Sequence, residues 1–397
     1  MTALPADAPP AFDPAAFRAR FPTLTTKAYM NSGSYGLLAQ EVQDAFAAYL
    51  DARLRCGSEW GWWVERAEAV RAGMAELLRV AGDEIAVTAS ASAGVNAVAS
   101  ALDFSGKARG EKNCRNKVVV SNFEFPTSGQ IWHAQQPRGA DVVHVPEDDT
   151  GYIPLEHFEK AIDERTKLVA IAHVCYRNGA KQDVKGIVEI ARRKGALVLL
   201  DIYQSAGVTD IDLKALDVDF ATGGMLKYLL GTAGIGFFYA RQDRIRELLP
   251  TVTGWFAQRD IFKMDIFKND PSDTARRFEM GTPPVPNCYA AEAGLGIING
   301  IGTAPIEAYV RDLTTHAIDR LAAIGCKFSM PVEASKRGPQ ITIKSTNDHA
   351  LVEALAQRDI VVSNRDNNVR CMFHAYNDMS DVDALIAGLE ANRGLLR

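Results

Sequence analysis

Six short apolar runs between residues 117 and 240 limit the fold of this chain more than any other feature. They are KVVVSN (117–122), ADVVHVP (140–146), KLVAIAHV (167–174), ALVLLDI (196–202), DFATGG (219–224) and IGFFYA (235–240). Several are apolar at nearly every position, as strands covered on both faces must be. Helical stretches separate them, among them LEHFEKAIDE (155–164) and VKGIVEIARRKG (184–195), the latter closing on Gly195 with basic residues in its last turn. This alternation predicts βαβ crossovers and an α/β fold: a mostly parallel central sheet with helices on both faces. Past residue 290 the order changes to a helix over about 304–325, then PQITIKS (339–345), HALVEALAQR (349–358), IVVS (360–363), NVRCMFHA (368–375) and a last helix from about 381 with Ser380 as its N-cap. That order predicts a smaller α+β domain over 290–397, a large domain over 31–289, and an N-terminal segment, 1–30, packing with the small one. The polar, basic stretch KARGEKNCRNK (107–117) reads as a solvated loop.

Composition removes several function classes. The 397 residues carry a formal charge of −5, without the basic footprint of a nucleic-acid binder. MTALPADAPPAFDP at the start lacks the basic and apolar regions of a signal peptide. The uncharged stretch Tyr228–Ala240 has 13 residues, too few to span a bilayer. Cysteines at 56, 114, 175, 288, 326 and 371 form no CxxC pair, and the histidines show no HxxxH or HExxH spacing. The expectation is a cytoplasmic protein with reduced thiols, no metal site, and neither nucleic acid nor membrane as partner.

Two residues carry the chemistry. Asp201 ends a buried strand, where open α/β sheets build their sites, and a buried carboxylate there needs a cationic partner. Lys227 follows the strand DFATGGML and precedes the apolar YLLGTAGIGFFYA; such surroundings lower an amine's pKa and make it a nucleophile toward carbonyls. An Asp to hold a pyridinium proton and a Lys to form a Schiff base are what a pyridoxal phosphate site requires.

From about residue 29 onward the sequence resembles the class V aminotransferase family of fold-type I pyridoxal phosphate enzymes, which includes cysteine desulfurases, isopenicillin epimerases and kynureninases. The resemblance implies that Lys227 in GGMLKYLLG carries the Schiff base. It also implies that Asp201 in LLDIYQS pairs with the pyridine nitrogen and that Gln204 bonds the cofactor's 3-oxygen or the Schiff base. VTASASAGVNAVASAL (87–102) resembles the family's strand–turn–helix phosphate loop, with Ser92 followed by Ala93, and a helix N-terminus is suited to phosphate. Phe125 in SNFEFPTSGQIW falls where desulfurases use a stacking His. HVCYRNG (173–179), TGWFAQRDIFKMD (253–265) and ARRFEMGTPPVPN (275–287) resemble kynureninase segments. The GT pair implies that Thr282 reaches the phosphate of a neighbouring subunit, hence a homodimer. NVRCMFHAYNDMSDVDAL (368–385) implies Arg370 as the clamp for a substrate α-carboxylate, with Asn31 and Ser32 of YMNSGSYG lining the same pocket.

Two departures narrow the activity. The span where desulfurases carry a nucleophilic Cys, SNRDNNV (363–369), has none. Leu226 precedes the lysine where desulfurases have His and kynureninases Tyr, and Ser128 stands where kynureninases have Asp. The reading is therefore transamination or Cβ lyase chemistry on an amino acid, not cysteine desulfuration. A kynureninase-type hydrolase is one alternative. A non-catalytic binding protein of the same fold is another, though such sensor domains come fused to a helix-turn-helix for which this chain leaves no room. Trp60, Trp62 and Trp63 read as core packing rather than as a substrate entrance.

Overall fold

The apolar runs assemble into one seven-stranded sheet in a computed structural model that describes residues 12–105 and 114–397. Most of the 107–117 loop lies outside the described residues. The first part of the chain gives α1 (Pro14–Arg18), β1 (Ala28–Tyr29), α2 (Gln40–Cys56), α3 (Trp60–Leu78), β2 (Ile85–Thr88) and α4 (Ala91–Ala101). The alternating region follows with β3 (Lys117–Ser121), α5 (Pro126–His133), β4 (Asp141–Val145), α6 (Leu155–Ala161), β5 (Thr166–Ala172), α7 (Val184–Arg193) and β6 (Leu197–Asp201). It closes with α8 (Leu213–Leu216), β7 (Phe220–Gly224), β8 (Gly236–Ala240) and α9 (Gln242–Ile245).

The strand order is β2-β8-β7-β6-β5-β3-β4. From β7 to β4 every pairing is parallel; β8 runs antiparallel to both of its neighbours. β7 and β8 are buried at every position, which fits strands covered on both faces. The carboxyl ends of β3, β5, β6 and β7 therefore lie along one edge, and Asp201 is the last residue of β6.

The remainder is α10 (Val285–Asn299), α11 (Thr303–Ala323), β9 (Gln340–Lys344), α12 (Asp348–Ala356), β10 (Ile360–Val361), β11 (Ser363–Arg365), β12 (Asn368–Met372) and α13 (Met379–Glu390). β11, β12 and β9 form an antiparallel sheet. The predicted IVVS strand is divided, because β10 pairs with β1 while Ser363 already pairs with Arg370 in β11. A two-residue turn, Asp366-Asn367, joins β11 to β12 with positive φ at both residues (53° and 60°), the geometry of a tight hairpin. The last helix is capped by Asp378, not Ser380: the Asp378 carboxylate accepts from Ser380 N (2.8 Å), and Asp381 accepts from Asp378 N (3.1 Å). An acid three residues downstream closes a capping box that a cap at Ser380 would lack.

Residues 12–30 pack on this last part. Phe21 lies 4.7 Å from the Tyr376 ring, and Arg18 binds Asp381 (2.7 Å) and donates to Tyr376 O (2.7 Å). The chain then turns toward the large sheet, where Gly36 N–H donates to Leu226 O (2.8 Å). A Cβ at Gly36 would sit 2.1 Å from Lys227 O, so only glycine permits this approach.

Trp60, Trp62 and Trp63 do not enter the core, unlike the fully buried Trp132. Trp60 and Trp62 are 41% and 51% exposed. Positions 67, 70, 74 and 78 of α3 face inward, which leaves its first turn outside, and Trp60 meets Trp63 and Trp255 edge-on at 5.1 and 5.7 Å.

Candidate active site

Lys227 and Asp201 share a cavity of about 290 Å³ at the carboxyl edge of the sheet. Burial pushes the Lys227 amine down to about 8, Asp201 opposes that shift, and the Arg370 charge adds to it. The Tyr203 ring lies 4.3 Å from Lys227 Nζ and the Phe125 ring 5.9 Å. Tyr203 can take this position because Gly224 has no side chain; a Cβ there would fall 2.2 Å from the Tyr203 hydroxyl.

Asp201 accepts from Tyr203 N (2.7 Å). Burial raises its pKa, with that N–H and Lys227 opposing. The cost of this desolvated carboxylate falls when a cation sits beside it. Glu124 lies close behind. It is buried, and burial followed by the Asp201 charge lifts it well above the usual carboxylate range against hydrogen bonds from Ser128 and Ser121.

The N-terminus of α4 forms the far wall. Ser90 caps it, its Oγ accepting from Ala93 N (3.2 Å), and Ser90, Ala91 and Ser92 line the cavity. A Cβ at Gly236 would come within 2.9 Å of Ser90 C and 3.0 Å of Ala91 N, so a glycine in β8 lets this turn lie flat on the sheet. Backbone N–H groups at a helix start favour an anion such as phosphate. A carboxylate in want of a cation, an amine of lowered pKa, an aromatic face and an anion cradle together fit pyridoxal phosphate.

The structure gathers Lys227, Asp201, Gln204, Ser92 and Phe125 in one cavity. Phe125 is 47% exposed, so its ring is not part of the core. Gln204 is anchored by donating to Gly33 O (3.1 Å). Arg370 stands beside the cavity, donating to Tyr176 O (2.6 Å) and Ser363 Oγ (2.9 Å), while its Nε is buried without a partner. Besides Arg370, four expected residues are not in the lining. Ala93 has given its N–H to Ser90. Ser32 is fully buried against Tyr376 Oη (2.6 Å). Asn31 lies in a bridge with Met372 beside it, its Oδ1 unpartnered. Thr282 is exposed in a separate cleft beyond the α4 start. Sequence reading missed Tyr203, Glu124, Ser34 and Tyr176; only Glu124 left a signal, as an acid flanked by Phe123 and Phe125.

Comparison with known proteins identifies the family. A family model described as Aminotransferase class-V matches residues 38–385. An uncharacterized aminotransferase of Bacillus subtilis (strain 168), YcbU, is 33% identical over 369 residues, covering 93% of this chain and 95% of the relative. Among solved structures, the apo cysteine desulfurase of Thermococcus onnurineus NA1 matches with a TM-score of 0.85 at 23% identity, over 97% of this chain and 100% of that one. A C-DES variant with glycine covalently linked to its pyridoxal phosphate matches with a TM-score of 0.82 at 21% identity, over 93% and 98%. The two structures speak for the fold; the family match and YcbU carry the assignment. The chain belongs to the class V aminotransferase family and is a pyridoxal phosphate enzyme.

Proposed function

We propose that the protein acts on an α-amino acid by transamination or Cβ elimination, and that it is not a cysteine desulfurase. The observation that carries this reading is the Lys227 amine within the field of Arg370, a buried guanidinium whose bonds among the described residues go to a carbonyl and a hydroxyl. Such a cation is costly until an anion meets it, and a planar guanidinium suits a carboxylate. Bound at Asp201 and α4, pyridoxal phosphate supplies an electron sink for the bonds at a substrate's α-carbon. Asp201 would hold the ring nitrogen's proton, Phe125 would cover the ring, and Ser92 with the α4 N–H groups would hold the phosphate. The free Lys227 amine would carry the α-proton. The Asp366-Asn367 hairpin turn supports the exclusion of desulfurase chemistry, because a tight hairpin gives no loop for a mobile thiol.

The test is a panel of amino donors with product analysis. Keto acid or Cβ-cleavage fragments are expected; sulfane sulfur from cysteine, or anthranilate and alanine from kynurenine as the sole products, would overturn the assignment. In Arg370→Ala, kcat/KM for α-carboxylate substrates should fall about 10²–10³-fold, the cost of leaving a desolvated charge pair unmade. Donors lacking that carboxylate should be unaffected.

The same reading takes the protein as a cytoplasmic homodimer with a cofactor domain over 31–289 and a small domain over 290–397. Exposed apolar side chains support an interface: Phe267 and Ile266 are 92% and 87% exposed, and Trp62 presents its ring on the outside. In such a dimer Thr282 of one protomer would reach the phosphate of the other. The variant Ile266→Asp/Phe267→Asp should elute as a monomer or weakened dimer in light-scattering chromatography. An unchanged dimer mass would remove this loop from the interface.

A further inference from the structure

A second cavity, of about 380 Å³, lies between α11, the 334–339 segment and the connecting segments that carry Lys181 and Thr209, and shares no lining residue with the Lys227 site. Its inner wall is Arg337, only 4% exposed. The guanidinium donates to Val332 O (3.2 Å), Thr314 Oγ1 (2.5 Å) and Thr315 Oγ1 (2.5 Å). Both threonines in turn donate to α11 carbonyls, so neither brings negative charge. Among the described residues Arg337 has no ion pair, and three bonds leave two of its five N–H donors over. Burial, then the nearby Arg311 charge, pushes it down to about 10, with Asp319 opposing.

Two more cations border the same space. Arg311 is half exposed and paired with its neighbour Asp312 (3.0 Å), and Lys181 reaches Glu307 Oε1 at 3.4 Å. Glu307 is the one carboxylate in the lining, and it is already engaged: its other oxygen accepts from Asp210 N (2.8 Å). Buried Arg277 shows what a structural arginine looks like here, with three carbonyl acceptors and Asp273 at 4.0 Å. Arg337 lacks that compensation. A desolvated guanidinium beside two further cations and a cavity is stabilised by a bound anion, and its fork matches the oxygens of carboxylate or phosphate.

We propose that this cavity binds a small oxyanion, a carboxylate or phosphate group, through Arg337 with Lys181 and Arg311. The site abuts the first one through a single layer of side chains. A Cβ at Gly338 would fall 2.7 Å from Val174 Cγ1, and Val174 lines the Lys227 cavity.

Calorimetric titration of the cofactor-loaded Arg370→Ala protein with sodium phosphate and, separately, sodium succinate tests the proposal with both other anion sites filled or removed. Saturable binding of at least one anion is expected. Arg337→Gln, Lys181→Gln and Arg311→Gln should each weaken it about ten-fold, the loss of one charge-assisted contact. Tighter phosphate binding identifies a phosphoryl ligand, and tighter succinate binding a carboxylate. No saturable binding of either anion would overturn the proposal. So would affinity that survives Arg337→Gln, or, if that variant does not fold, affinity that survives both Lys181→Gln and Arg311→Gln.

Discussion

Lys227→Ala is expected to lose the visible absorbance of the bound cofactor and at least about 10⁴-fold in turnover, because nucleophile and proton carrier are one atom. Circular dichroism should show an intact fold, since the alanine leaves the Gly36–Leu226 contact in place. A variant that keeps wild-type turnover would sink the assignment of Lys227. In the wild-type chain, capture of the cofactor requires the neutral amine. Its rate should climb about ten-fold per pH unit below the lysine's pKa of about 8 and level off above it. Stability follows with a definite sign. The folded pKa lies below the ordinary value of 10.5, so between the two the unfolded chain binds more protons. Stability of the cofactor-free protein therefore gains from this residue as pH rises from about 8, and Lys227→Ala should lack that slope.

Asp201→Asn should be nearly as damaging for a different reason. The amide is isosteric but cannot balance a charged ring nitrogen, so the electron sink weakens while Lys227 still holds the cofactor. A loss of about 10²–10⁴ in kcat with retained absorbance is the expected result, read by steady-state kinetics beside a spectrum. The substitution also removes the negative charge that helps raise the Glu124 pKa. The Glu124 carboxyl should then titrate lower, a displacement visible in the pH profile of the residual activity. Wild-type kcat in Asp201→Asn would mean that the ring nitrogen is held elsewhere.

The strands and the two principal residues were legible because burial on both faces writes itself into the chain as continuous apolar runs. An acid or lysine at the end of such a run is conspicuous. Tyr203 was not legible: its ring reaches Lys227 only because β7 lies next to β6 and Gly224 leaves room, and neither fact is local in sequence. Glu124 left a signal only as an acid between two phenylalanines, and its relation to Asp201 became visible only when the fold brought the Asp201 charge to bear on it. Ser32 misled because a small hydroxyl near a site reads as a ligand, whereas here it completes the Tyr376 cluster. The tryptophans misled through composition: large aromatics suggest a core, but the helical register decides which turn is inside.

The long reach of the contacts around Lys227 has a consequence for how the protein matures. Gln204 is held by Gly33 across 171 residues, and Tyr228 is tied to His374 across 146. Contacts of such sequence separation close late, after the loops between them have lost their freedom. On the ribosome, the lysine emerges long before its supports at the chain's far end. A nascent chain stalled before β12 thus has the residues that line the Lys227 cavity but lacks Arg370 beside it and the His374 bond to Tyr228 O, so that side of the site is completed last.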